Sequence, residues 1–231
     1  MNAPAKKVRR DYRDANGKRL PGVTTIMGET LGWSRAALMK WAWEQGCKGV
    51  DFRITRDDAA AAGTLAHEYV EAFLRTGARP EPPMFDEELE VERKARKAFE
   101  RFAVWWPTAG LEVVGLEMPL VDEKFGYGGT IDQLFRRKSD GALILGDLKT
   151  GRSVYDESIV QMGAYSMLLD LHGHRVEEAL VLHFPVEGDA HVAPIPKKVL
   201  ELGAGAFGSL LCIYKTRPLM KLNLDSLGGV P

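Results

Sequence analysis

From Leu111 onward the apolar residues stop recurring at helical spacing and begin to alternate, in three consecutive runs: LEVVGLEMPLV, FGYGGTIDQLFRR and ALILGDLKT. Alternation puts successive side chains on opposite faces of a strand. The breaks between the runs, at Asp122 to Lys124 and at Lys138 to Gly141, are too short for a crossover, so the three strands are expected to form an antiparallel meander. The middle of the chain is thereby committed to a sheet.

Helical patterns surround it. A helix is predicted from about Tyr155 to His172, with Ser153 as N-cap and Gly173 as its stop, followed by a fourth strand in EEALVLHF and a fifth in VAPIP. A last helix over Lys197 to Thr216 is weakened by Gly203, Gly205 and Gly208, and the tail from Pro218 has little pattern. Before the sheet, Asn16-Gly17 predicts a hairpin within Tyr12 to Leu20 with both turn residues at positive φ. Thr24 and Thr25 are candidate caps for a short helix through Ile26 and Met27, and a second helix covers Ser34 to Gln45. The capping-box spacing of Thr55-Arg56-Asp57-Asp58 starts a third helix at Asp57, which Gly77 stops after Thr76. A charged helix from Asp86 to Trp105 turns Leu89, Ala95, Ala98, Phe99 and Phe102 inward. The order helix, three strands, helix, strand, helix implies a three-layer α/β/α arrangement around a mixed central sheet, with an added helical N-terminal region.

The 231 residues suit one domain over 11–231, with its core in about 57–190, behind a basic tail at 1–10 that carries Lys6, Lys7, Arg9 and Arg10. The proline-rich stretch ARPEPPMF is the best candidate for an internal boundary. A net charge of -1 means that any nucleic acid must be met by a local basic surface. Cys47 and Cys212 are too few for a zinc ribbon or an iron–sulfur cluster, and two lone thiols fit a reducing compartment, here read as the cytoplasm. No apolar run reaches the roughly 18 residues of a membrane span.

Several polar residues stand where a simple core would take Val or Leu. Asp132 lies in the second run, and Asp147 and Lys149 share one face of the third. Asp132 is placed opposite or diagonal to Asp147, and two close carboxylates repel unless a cation lies between them. A hard divalent ion such as Mg²⁺ suits that pair, with the Leu148 backbone carbonyl as a further oxygen. Lys149 can then hold the attacking water or neutralise a phosphoryl oxygen. Gln161 and Tyr165 are one turn apart on the following helix and offer a donor, an acceptor and a stackable ring to a nucleotide strand. On the third helix Gly63, His67 and Glu71 form one edge, beside an apolar stripe of Val70, Phe73 and Leu74. Gly63, where Ala would be about 1 kcal/mol better, marks a close approach to the backbone. Trp33, Trp41 and Trp43 are assigned to the core, although such aromatics also stack on unpaired bases.

Taken in order, His67 behind Gly63, Glu117 in the first strand, Gly129-Thr-Ile-Asp132, Asp147-Leu-Lys149 and Gln161-x-x-x-Tyr165 resemble the RecB-like branch of the PD-(D/E)XK nucleases. The start, VTTIMGETLGW and MKWAWEQG, is similar to phage and prophage members of that branch. The resemblance implies a restriction-endonuclease-like core and an Mg²⁺-dependent deoxyribonuclease, with Mn²⁺ as a substitute. An exonuclease of recombination or repair that acts on DNA with a free end is implied, with a phage recombinase or single-strand annealing protein as partner. Carried over, the roles make His67, Asp132, Asp147 and the Leu148 carbonyl metal ligands and Lys149 the catalytic lysine. Glu117 assists at a second metal or water, and Gln161, Tyr165 and Gly63 lie on the substrate side. The alternative is a catalytically silent module on the same fold that grips DNA or a partner.

Overall fold

The computed structural model describes residues 11–81 and 89–226; the basic tail and most of the proline-rich stretch lie outside the described residues. The chain opens with a hairpin of β1 (Tyr12–Arg13) and β2 (Arg19–Leu20). Its turn departs from the two-residue expectation. Gly17 alone takes positive φ (77°), while Asp14 Oδ1 accepts from the backbone N–H groups of Asn16 and Lys18, a five-residue loop held by an aspartate.

Four helices follow: α1 (Val23–Thr30), α2 (Arg35–Cys47), α3 (Phe52–Thr76) and α4 (Glu90–Trp105). Thr24 and Thr25 fall inside α1 rather than capping it, because Gly22 is the residue that precedes the first turn. The third helix starts five residues before the predicted Asp57. Asp51 accepts the Arg53 N–H and outcompetes the capping box at Thr55, and the helix ends as expected on Gly77 at φ 74°. On α4, Ala95, Ala98, Phe99 and Phe102 are buried, each phenyl contributing about 1.5–3 kcal/mol. Leu89 precedes the helix and is exposed.

The sheet comprises β3 (Leu111–Asp122), β4 (Tyr127–Arg137), β5 (Leu143–Lys149), β6 (Val176–His183) and β7 (His191–Pro196), adjacent in that order. The β3–β4–β5 meander is antiparallel as read from the sequence; β6 is parallel to β5 and β7 antiparallel to β6, so the sheet is mixed. Between β5 and β6 runs α5 (Glu157–Leu171), which begins two residues later than predicted and without a Ser153 cap; α6 (Lys197–Ser226) continues through Pro218, beyond the predicted end at Thr216. One sheet face packs α1, α5 and α6 through residues such as Ile131, Leu145, Leu168 and Phe207. The other packs α3 and α4 through Val70, Phe99, Phe102, Phe135 and Leu148. These are the three layers expected, and among the described residues no helix is long and apolar enough to cross a membrane.

The glycines of α6 are not simple weaknesses. A Cβ on Gly203 would lie 2.3 Å from the Ile159 carbonyl oxygen, and one on Gly163 of α5 would lie 2.2 Å from the Ala204 nitrogen. Two facing glycines therefore let α5 and α6 cross at backbone contact, which fixes how α5 lies over the sheet. Gly205, by contrast, has open space around it. Gly163→Ala is expected to destabilise the protein by at least about 2–3 kcal/mol in urea unfolding, because backbone rather than a flexible side chain must move. Gly205→Ala should leave it unchanged or stabilise it by up to about 1 kcal/mol.

Candidate active site

The strands of the meander part where the polar residues lie. The β4–β5 ladder ends at Gln133–Gly146, one step short of Asp132 and Asp147. Across β3–β4, Glu117 and Asp132 face each other between the Leu116–Gln133 and Met118–Ile131 pairs. Glu117 has φ 50° and is the sole non-glycine at positive φ among the described residues. A glutamate in that region costs about 1–3 kcal/mol and persists when the surroundings impose it. Nothing in the sequence signals this strain.

From the opposite layer α3 brings His67, whose Nδ1 is 3.4 Å from Asp132 Oδ2. One ligand atom from each of His67, Glu117 and Asp132 lies within 4.8 Å of the others. Ligands across one ion with ~2.1 Å bonds stand about 4.2 Å apart, so a small inward shift of these three would meet a divalent cation. Two carboxylates and an imidazole are also the donors such a cation accepts. The grouping is not the expected ligand set, which included Asp147 and left Glu117 to a second metal or a water. Asp147 is not a fourth member of this group; its Oδ2 lies 2.7 Å from Lys149 Nζ.

Asp147 is 2% exposed, and burial, together with the charge of Asp132, pushes its carboxyl upward against the opposing pull of Lys149. Because Leu148 packs among the α3 and α4 side chains, Asp147 and Lys149 point to the opposite face, toward α5. There Lys149 Nζ donates to Gln161 Oε1 at 2.9 Å, and Gln161 Nε2 donates to the Tyr165 hydroxyl at 3.0 Å. Burial holds that phenol protonated. Tyr165 is itself buried, its ring against Gly129, where a Cβ would approach it to 2.8 Å. The ring is thus committed to the fold and its hydroxyl to Gln161.

Gly128 does the same for a residue that sequence reasoning missed. A Cβ on Gly128 would lie 2.5 Å from Tyr12 Cγ, and the Tyr12 hydroxyl reaches Thr130 Oγ1 at 2.9 Å. The paired glycines ahead of Thr130-Ile131-Asp132 were the available signal, since each vacates space for a tyrosine ring. Gly63 meets its expected close approach in Thr150, whose Oγ1 would be 3.2 Å from an added Cβ. His183, also missed, is buried on β6 and bonds the Gly151 carbonyl through Nε2 at 2.8 Å, tying down the loop behind Lys149. All the predicted site residues, Leu148 included, share one open cleft of about 940 Å³, whose wall also includes Arg19, Thr24, Thr25 and Glu29.

No family model and no curated relative matches the chain. Among solved structures it is similar to the crystal structure of a proposed exonuclease from Eubacterium rectale, with 14% identity over 69% of this chain and 68% of that one, at a TM-score of 0.44.

Two outcomes test the energetics of the site in metal-free protein. Glu117→Gly is expected to be more stable than Glu117→Ala by about 1 kcal/mol in thermal unfolding, since glycine adopts positive φ freely. Asp147→Asn probes the buried carboxyl. A pKa raised above its ordinary 3.8 contributes stability fully present below that value and lost as pH rises through the raised one. The variant should therefore match the parent near pH 4 and exceed it near pH 8, by an amount on the order of 1 kcal/mol or about 2–4 °C in melting temperature.

Proposed function

We propose that this protein is a divalent-metal-dependent deoxyribonuclease that hydrolyses phosphodiester bonds, acting from a free end in recombination or repair of the phage type. The observation that carries the reading is the meeting, in one cleft, of the His67–Glu117–Asp132 group with the chain Asp147–Lys149–Gln161–Tyr165. A cation held by the three ligands, with Asp147 and the Leu148 carbonyl as further oxygens, would supply Lewis acidity toward a phosphoryl oxygen and a bound water of lowered pKa. One imidazole among hard oxygens suits Mn²⁺ at least as well as Mg²⁺.

The protein's own contribution is the placement of a positive charge. Asp147, too buried to be screened by solvent, holds the Lys149 ammonium from one side and Gln161 holds it from another. An ammonium has three donors, so one N–H remains for a water or for an oxygen of the phosphate. Tyr165 fixes the Gln161 amide so that its oxygen faces Lys149. A lysine already oriented in this way loses little entropy on meeting the transition state and stabilises the charge that develops there. Gln161 and Tyr165 then act on the substrate through Lys149, and Gly63 keeps the α3 side of the cleft narrow beside Thr150.

Linear DNA incubated with Mn²⁺ should be degraded, and EDTA should stop it. Asp147→Ala and Lys149→Ala should each lower the rate at least about 100-fold with an unchanged circular dichroism spectrum. Covalently closed circles should resist. Digestion by either variant at the parent's rate would remove the reading.

A further inference from the structure

The cleft's two helical walls are joined by a helix that neither the core nor the site uses. Thr24 and Thr25 of α1 line one part of the cleft and Gly63 and His67 of α3 another, and α2 is the segment that passes between these helices. It buries none of its residues. Trp41 meets Phe52 edge-on at 6.1 Å, which defines the inner side. Arg35, Met39 and Trp43 follow one another at four-residue steps and so share one ridge, with Lys40 beside it and Trp33 just ahead of the helix. The expected burial of the tryptophans fails here: Trp33 is 60%, Met39 73% and Trp43 70% exposed.

Charge identifies what such a ridge suits. From Trp33 to Lys48 the cations Arg35, Lys40 and Lys48 face a single acid, Glu44, in a chain whose net charge is -1. The floor of the cleft is acidic, with Glu117, Asp132 and Asp147, and would repel an incoming polyanion before a cation is bound. Cations on the helix that joins the two walls offset that repulsion. Indoles interleaved with cations fit a strand that presents a phosphate and an unpaired π-face at every nucleotide. A duplex keeps its bases stacked inward and offers the indoles nothing comparable.

We infer that α2 and Trp33 form a guide for single-stranded DNA entering the cleft, with Trp33 and Trp43 stacking on bases and Arg35 and Lys40 on phosphates. The destination of the strand rests on the nuclease reading; the binding does not. The test is fluorescence anisotropy in EDTA with a labelled oligothymidine of about 20 nucleotides and a blunt duplex of the same length, melting curves controlling for the fold. The parent should bind the single strand more tightly than the duplex. W33A/W43A should weaken single-strand binding about 5- to 100-fold, whereas W33F/W43F should retain most of it. R35A/K40A should lower the magnitude of the log–log salt slope by about 1.4. Binding by W33A/W43A within twofold of the parent overturns the guide. So does a parent dimer in sedimentation that W43A dissolves, since the ridge would then be a subunit interface. Digestion of DNA by the parent with Mn²⁺ separates the two readings. If it fails while the tryptophan-dependent binding stands, the nuclease reading falls and the guide survives; if it succeeds while the variants bind normally, only the guide falls.

Discussion

A carboxylate buried without full compensation governs this structure. Asp147 sits at the point where β4 and β5 separate, with Asp132 nearby to repel it and Lys149 as its close counter-charge. A core aspartate is costly wherever it stands, and ordinary packing would replace it with Val or Leu. Its presence orders the neighbourhood: Lys149 turns toward it, Gln161 toward Lys149, and Tyr165 toward Gln161. Each link is polar and at least partly buried, so each strengthens the next. The whole relay depends on α5 lying at one height over the sheet, which the backbone-to-backbone crossing of Gly163 and Gly203 sets.

The second constraint is the backbone of β3 at Glu117, where φ is 50°. Extended backbone is what glutamate in a strand prefers. The backbone instead takes a conformation that glutamate disfavours, and the surrounding pairs on both sides, Leu116–Gln133 and Met118–Ile131, hold it there. Strain and buried charge thus fall on β3 and β5, the two strands that flank β4, within one cleft, where their cost is offset by the layers above and below.

Much of this was legible in the sequence, for identifiable reasons. Alternation across 111–149 gave the meander because period and turn length agree there, and Asp132, Asp147, Lys149, Gln161 and Tyr165 declared themselves as polar residues in apolar company. His67 and Glu117 needed the family resemblance, since a lone histidine on a helix and a glutamate in a strand carry no local signal. Other features were illegible because they depend on tertiary neighbours. The tryptophans of α2 read as core by composition, but α2 packs on its Trp41 side alone. The α3 start was displaced because the Asp51 cap, with Arg53 beside it, competes with the box at Thr55. That Gly128 and Gly129 accommodate Tyr12 and Tyr165 could be suspected from their pairing but not assigned to partners.

The contact between Tyr12 and Gly128 has a kinetic meaning. Its hydroxyl bond to Thr130 spans 118 residues of sequence, so one wall of the cleft is supplied from far upstream of the strand that seats it. Closing so long a loop is entropically unfavourable and is repaid only by contacts already in place. On a ribosome the hairpin emerges before the meander and must wait for its strand. The enclosure of the acidic residues on that side therefore rests on a contact that only the assembled meander can seat.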